Sequence, residues 1–179
     1  MTVFDAVAVI AGLLGLLNLL LMVGVIRRLR VQTETLARVQ RRASGPSLTS
    51  GYRIQPFETR ARDGEVLTAD SLGADAVLGF FRPGCAPCEE ALPKFVEYAR
   101  SSPLGREALV AVVVGNDDEV AREVAALSPV ARVVTEPLNG TVTEALSVDA
   151  FPTFIRVGAE RRVAAVGYEP SAVMLEPAV

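Results

Sequence analysis

The pattern of apolar and polar positions divides the chain into a continuous apolar segment near the N-terminus and a longer part of alternating short elements. The apolar segment, Ala6–Ile26, contains no charged residue and one polar residue, Asn18. About 20 apolar residues are enough for a helix to cross a bilayer. The segment therefore predicts a transmembrane helix.

A cleaved signal peptide is the alternative interpretation of this segment. Signal peptides begin with a basic region and end at a cleavage site made of small residues. Here the first five residues, MTVFD, include no basic residue, and the apolar run ends in Ile26-Arg27-Arg28. We therefore expect an uncleaved single-pass anchor over residues 1–28.

The remaining part of the chain alternates patterns that are typical of strands and helices. Apolar runs that fit buried strands lie at residues 76–82, 108–114 and 131–136. Helical patterns lie at residues 89–102, 117–127 and 140–148. A hairpin turning at Asp63-Gly64 precedes these elements, and an antiparallel pair at 151–157 and 161–167 follows them. This order predicts an α/β domain with a mixed central sheet flanked by helices.

The charge changes sign after the apolar segment. Between Arg27 and Arg42 six arginines accompany one acid, Glu34, whereas the chain from Ala43 onward carries 12 basic and 19 acidic residues. An acidic domain disfavours a nucleic-acid partner. The arginines adjoin the apolar segment, so a lipid membrane is their expected partner. We expect a basic juxtamembrane helix and a flexible linker over residues 29–51, and the globular domain over 52–179.

Cys85 and Cys88 are the only cysteines, and they lie between a predicted strand and a predicted helix. A C-x-x-C pair in this position is typical of a thiol–disulfide redox site. Backbone N–H groups and the dipole at a helix start favour a thiolate, which indicates Cys85 as nucleophile and Cys88 as the buried resolving thiol. Pro87 suits an early helical position because it has no N–H to leave unbonded.

Two other roles for the pair are less favoured. A structural disulfide that closes so small a loop stabilises a chain little. Histidine is absent, so two cysteines cannot complete a usual zinc site, and copper delivery is disfavoured for the same reason. We expect no metal and no cofactor beyond the redox-active disulfide.

The residues around the cysteines resemble the active site of the thioredoxin fold. The shared features are the strand ending in Phe80-Phe81, the C-x-x-C that opens a helix, Pro93, and the distant Phe151-Pro152-Thr153. The hairpin and the apolar N-terminus are similar to membrane-tethered disulfide reductases of the TlpA/ResA type. The Arg82-Pro83-Gly84 lead-in is closer to the thioredoxin-like accessory proteins of methylamine utilisation.

This resemblance implies a thioredoxin-like fold over about residues 52–168 and a cis peptide bond before Pro152. It implies a substrate groove near Pro152, with substrate-binding positions at Phe151, Thr153, Gly84 and Pro87. The chain departs from the family pattern where a Trp usually precedes the first cysteine, which here is Gly84, and where thioredoxin has a buried Asp, which here is Gly79. These departures bear on rate and redox potential.

We expect a membrane-tethered thiol–disulfide oxidoreductase that reduces or isomerises disulfides in a client protein with cysteines. Its electrons would come from a membrane electron donor or a thiol pool. A non-catalytic thioredoxin-like binding or chaperone module is the alternative. A thiol peroxidase is disfavoured because Arg82 stands where that motif has Thr. The positive-inside rule places the domain in the cytoplasm, whereas the resemblance places it outside, where disulfides persist, and we expect the latter.

Overall fold

The computed structural model describes residues 12–16, 18–19, 21–22 and 48–174. The chain divides into two compact units, residues 1–44 and 45–179. In the first unit the described residues are helical and their large apolar side chains are exposed, namely Leu13, Leu14, Leu16, Leu19, Leu21 and Met22. Within the described ranges, no helix is both long enough and apolar enough to span a bilayer. Most of the predicted anchor, and the predicted juxtamembrane helix, lie outside the described residues.

The second unit contains a two-stranded hairpin and a five-stranded mixed sheet. The strands are β1 (Glu58–Arg60), β2 (Val66–Thr68), β3 (Val77–Phe81), β4 (Leu109–Val114), β5 (Arg132–Glu136), β6 (Thr153–Val157) and β7 (Val163–Gly167). The helices are α1 (Ala86–Ser101), α2 (Ala121–Leu127) and α3 (Thr141–Ala145). The sheet order is β5-β4-β3-β6-β7, with β3, β4 and β5 parallel and with β6 antiparallel to both of its neighbours.

The continuous apolar runs become the centre of the sheet. Every residue of β3 and of β4 is buried, as expected for parallel strands that are covered on both faces. The connections through α1 and α2 step across the sheet in one direction, so right-handed crossovers place both helices on the same face. The connection through α3 steps back in the other direction, and α3 packs against β1 of the hairpin. The predicted mixed sheet flanked by helices is confirmed.

The helix predicted over 117–127 is shorter than expected and begins only at Ala121. The backbone N–H groups of Glu119 and Val120 both bond the Asn116 carbonyl, at 2.9 and 3.2 Å, and form a separate turn. The Glu119 carboxylate accepts from the backbone and side-chain nitrogens of Asn116, both at 3.2 Å, and holds that turn closed. Asp117 and Asp118 therefore lie before the helix and not in its first turn, where the sequence had placed them.

The N-terminal end of the second unit is attached to the start of β7. Gly51 donates to Val163 at 2.7 Å, Val163 donates to Tyr52 at 2.9 Å, and Ile54 donates to Arg161 at 2.9 Å. Strand β7 runs parallel to β3 because both are antiparallel to β6. The start of β7 therefore lies at the end of the sheet opposite to the carboxyl end of β3, which leads into the cysteine pair.

Candidate active site

The start of α1 positions the two cysteines. Cys85 is the N-cap residue, with an extended backbone (φ −98°, ψ 105°). Its carbonyl accepts the first hydrogen bonds of the helix, from the N–H groups of Cys88 at 2.9 Å and Glu89 at 3.1 Å. Pro87 occupies the first turn, where a missing N–H costs no hydrogen bond. The predicted helix start is confirmed, with Cys85 at its boundary.

The two thiols differ in their access to solvent. Cys85 is partly exposed, whereas Cys88 is only 3% exposed and belongs to the apolar core. A spacing of three residues at a helix start places their side chains on the same side. The accessible thiol and the shielded thiol are arranged as a nucleophile and a resolving group would need to be.

The Phe151–Pro152 segment lies beside Cys85, although it is 66 residues further along the chain. The peptide bond between Phe151 and Pro152 is cis. The Cys85 thiol donates a hydrogen bond to the Phe151 carbonyl oxygen over 3.6 Å. The Phe151 side chain is buried, and the buried Thr153 hydroxyl donates to the Ala150 carbonyl at 2.6 Å. The side chains at 151 and 153 thus serve the local packing, and what this segment turns toward Cys85 is backbone.

An aromatic cluster, formed by Phe81, Phe95 and Phe154, packs between α1 and the sheet. Its ring centroids are 5.5 to 5.8 Å apart, and all three side chains are fully buried. A Cβ atom added at Gly79 would lie 2.9 Å from Phe81, 3.2 Å from Phe95 and 3.3 Å from Phe154. The aromatic cluster therefore occupies the space in which a side chain at position 79 would have to fit.

A groove of about 380 Å³ opens on the side of the Cys85 loop that faces away from the Phe151–Pro152 segment. Three loops form it, each following one of the parallel strands β3, β4 and β5. Its lining residues are Arg82, Pro83, Gly84, Val114, Gly115, Asn116, Glu119 and Leu138. Of these, sequence reasoning assigned a substrate contact only to Gly84. The available signal was that the carboxyl ends of parallel strands share one edge of the sheet, where ligands commonly bind.

The charges around the helix start are of both signs. Glu89 lies in the first turn of α1, and its carboxylate is 3.8 Å from the Arg122 guanidinium on α2. Arg82 precedes Cys85 by three residues and is exposed. Among the described residues, Arg82 has no ion-pair partner. The partly exposed thiol therefore lies at a helix N-terminus, with a basic residue three positions before it and an acidic residue four positions after it.

The fold and the position of the cysteine pair place the domain in the thioredoxin-like α/β class. The thioredoxin domain of a thiol–disulfide oxidoreductase from Bacteroides vulgatus has a similar structure, with a TM-score of 0.58 and 16% identity over 71% of this chain and 94% of that one. A secreted disulfide oxidoreductase of Mycobacterium tuberculosis gives a TM-score of 0.52 and 21% identity over 66% and 87% of the two chains. StoA from Bacillus subtilis gives a TM-score of 0.52 and 18% identity over 67% and 92%.

Comparisons that use the sequence alone find no match. No protein-family model matches the chain, and no curated protein matches it. At 16 to 21% identity these structures share the fold with this chain.

Proposed function

We propose that this chain is a membrane-tethered thiol–disulfide oxidoreductase that reduces or isomerises disulfides in a client protein. The observation that carries the proposal is the geometry of the pair. Cys85 is partly exposed at the N-terminus of α1, its thiol is 3.6 Å from the Phe151 carbonyl oxygen, and Cys88 is buried one helical turn further on. Solved structures with the same fold include thiol–disulfide oxidoreductases, so the fold is compatible with this chemistry.

The reaction proceeds by two thiol–disulfide exchange steps. The Cys85 thiolate attacks one sulfur of the client disulfide, and the other client sulfur leaves as a thiolate that takes up a proton. The Cys88 thiol then loses its proton and attacks the Cys85 sulfur, which forms the Cys85–Cys88 disulfide and releases the second client thiol. Two electrons pass to the client, and a dithiol donor at the membrane or in a thiol pool has to restore the reduced pair.

The backbone of the Phe151–Pro152 segment is the proposed client-binding surface next to Cys85. An extended client strand can form backbone hydrogen bonds there, which would align its disulfide with the attacking sulfur. Gly84 and Pro87 flank the same thiol without presenting a long side chain. The binding would therefore depend on backbone geometry more than on client sequence.

The tether is proposed from the apolar segment 6–26 and the arginines that follow it. The attachment of residues 51–54 at the far end of the sheet supports this arrangement, because it leaves the cysteine pair at the end away from the linker. We propose that the domain faces outward, where client disulfides accumulate. Labelling intact cells with a membrane-impermeant maleimide, before and after an impermeant reductant, tests this: labelling of Cys85 only after lysis would place the domain inside.

Cysteine variants of the full chain in detergent micelles test the redox proposal. With dithiothreitol as electron donor, the wild type is expected to accelerate reduction of insulin disulfides, and Cys85→Ser to fall to the background rate. Cys88→Ser keeps the nucleophile but cannot resolve the intermediate, so it should accumulate a mixed disulfide with the client. This variant is the matched control, because it also removes one thiol.

Either of two results would contradict the redox proposal. Cys85→Ser with the activity of the wild type would exclude Cys85 as the nucleophile. A wild type that binds clients without accelerating reduction would favour the non-catalytic binding module. The insulin assay of the wild type separates the two cases, because reduction is accelerated only in the first.

A further inference from the structure

The groove formed by the loops after β3, β4 and β5 lies beside the nucleophile but on the opposite side from the Phe151–Pro152 segment. Strand β3 lies between β4 and β6 in the sheet, so the loops after β4 and β5 are on one side of Cys85 and the Phe151–Pro152 segment is on the other. Gly84, the residue before Cys85, lines the groove. A polypeptide held at Cys85 can therefore contact the Phe151–Pro152 segment on one side of the thiol and extend into this groove on the other side.

The groove is open at Gly84 because this lining residue has no side chain. Gly84 has φ +67°, and a Cβ atom added there would meet nothing within 4 Å. Leu138, on the loop after β5, has 55% of its surface exposed at the outer side of the groove. A volume of about 380 Å³ is enough for one or two side chains of a bound segment.

Two charged side chains line the groove, Glu119 and Arg82, and they differ in the interactions that they already make. The Glu119 carboxylate already accepts two hydrogen bonds from Asn116. Arg82 is exposed, and among the described residues it has no ion-pair partner. The guanidinium is thus the lining group that can form a new charge-assisted hydrogen bond with a carboxylate.

We propose that this groove is a second client-binding subsite, which takes an acidic side chain of the client near its reactive cysteine, with Arg82 as the group that selects it. The inference rests on the proposed function, because it names the kind of client segment that the same thiol would attack. Leu138 provides an apolar contact for the residue beside the acidic one. Glu119 weakens the selectivity, since its own charge opposes an acidic ligand.

Two disulfide-bonded peptides, identical except for an Asp or a Lys two positions from the cysteine, test the subsite. The full chain in micelles should reduce the Asp peptide with the higher kcat/KM. In Arg82→Gln the ratio of the two kcat/KM values should fall by about two- to fivefold, the range expected for one exposed charge pair. In Glu119→Gln the ratio should rise, and in the wild type it should fall with added salt.

Arg60→Gln is the matched control. It makes the same change in net charge, but Arg60 lies on the hairpin, donates to the Gly64 carbonyl at 2.8 Å and is not among the residues that line the groove. Its ratio should equal that of the wild type. A ratio that is unchanged in Arg82→Gln, or equally changed in Arg60→Gln, would overturn the subsite.

Titration with redox-inert peptides separates this inference from the redox proposal. Serine replaces both cysteines in the Asp and Lys peptides, and the amide signals of Gly84, Gly115 and Asn116 are followed by NMR. Larger shifts with the Asp peptide, lost in Arg82→Gln, would support the subsite even if no peptide were reduced. Equal shifts with both peptides would overturn it even if reduction depended on Cys85.

Discussion

Gly79 and Gly84 are five residues apart and have opposite surroundings. Gly79 lies in the middle of β3, where an added Cβ atom would be 2.9 Å from a ring carbon of Phe81. Gly84 lies in the loop before Cys85, where an added Cβ atom would meet nothing within 4 Å. One glycine is required because neighbouring side chains fill the space, and the other leaves space empty.

The difference changes the meaning of the two departures from the thioredoxin pattern. The aromatic cluster takes up the volume at position 79, so no carboxylate can stand there without moving a ring. At position 84 nothing takes up the volume, and the result is the groove beside the nucleophile. A missing side chain can therefore indicate either a repacked core or an opened binding surface, and only the neighbours distinguish the two.

Aspartate introduced at each position gives the largest expected contrast. Gly79→Asp overpacks the aromatic cluster and buries a carboxylate without a partner, so a loss of more than about 4 kcal/mol in the free energy of unfolding is expected. Gly84→Asp adds an exposed side chain at φ +67°, a conformation that Asp tolerates, and should cost about 1 kcal/mol or less. Urea denaturation followed by circular dichroism measures both.

The contrast fails if the two variants lose similar stability. A Gly79→Asp variant as stable as the wild type would mean that the rings can rearrange around a buried side chain. Gly84→Asp with a loss as large as that of Gly79→Asp would mean that the loop before Cys85 is restricted by more than its open surroundings show.

Gly140 sharpens the comparison, because a carboxylate fills the space beside it. An added Cβ atom would lie 2.5 Å from the carboxyl carbon of Glu136. The buried Glu136 side chain accepts from the N–H groups of Val142 at 2.9 Å and Thr143 at 2.8 Å, and from the Thr143 hydroxyl. These bonds hold the start of α3, so displacing the carboxylate leaves buried donors without an acceptor.

Gly140→Ala should therefore lower the free energy of unfolding by about 1–3 kcal/mol, and Glu136→Ala by about 2–4 kcal/mol. The double variant should lose less than the sum, because the contacts with the carboxyl carbon and Cγ of Glu136 disappear with the side chain and only the contact with its Cβ atom, at 2.6 Å, remains. Gly73→Ala is the control, since a Cβ atom there meets nothing within 4 Å. Additive losses in the double variant would show that Gly140 and Glu136 act independently.

The sequence predicted most of the sheet because its strands differ clearly in pattern from what surrounds them. β4 reads LVAVVV and is buried throughout, so its apolar run had one interpretation. The start of α2 was wrong because the acids at 117–119 look like a first helical turn, whereas the turn that closes on the Asn116 carbonyl ends before the helix begins. Competition between a side chain and the backbone is a local detail that periodicity does not record.

The parts of the candidate site that lie close together in the sequence could be predicted from it. Cys85, Cys88 and Pro87 form one helix start, which the helical pattern that follows them in the chain predicts. The groove was missed because Gly84, Asn116 and Leu138 belong to three loops that only the parallel sheet brings together. The reason for Gly79 was equally out of reach, because it depends on rings from α1 and β6.

The smallest expected effect concerns the exposed hairpin turn, where Asp63 is only partly covered. A hydrogen bond from the Arg106 guanidinium, 2.7 Å away, and another from the Glu65 N–H lower the pKa of Asp63 from its usual value of 3.8. A pKa lowered on folding means that the ionised group stabilises the fold above pH 3.8, and that this contribution is lost as the pH falls toward the folded-state value. Asp63→Asn should lower the Tm by at most a few degrees at neutral pH.

The pH dependence separates this ion pair from a simple packing effect. The difference in Tm between the wild type and Asp63→Asn should be constant from about pH 7 to 5 and should shrink as the pH falls below about 4, because the carboxylate of the unfolded wild type then takes up a proton before that of the folded protein does. Arg106→Gln removes the partner and should show the same shrinking difference. A difference that stays constant down to about pH 3 would mean that Asp63 stabilises the turn through its conformation and packing and not through its charge.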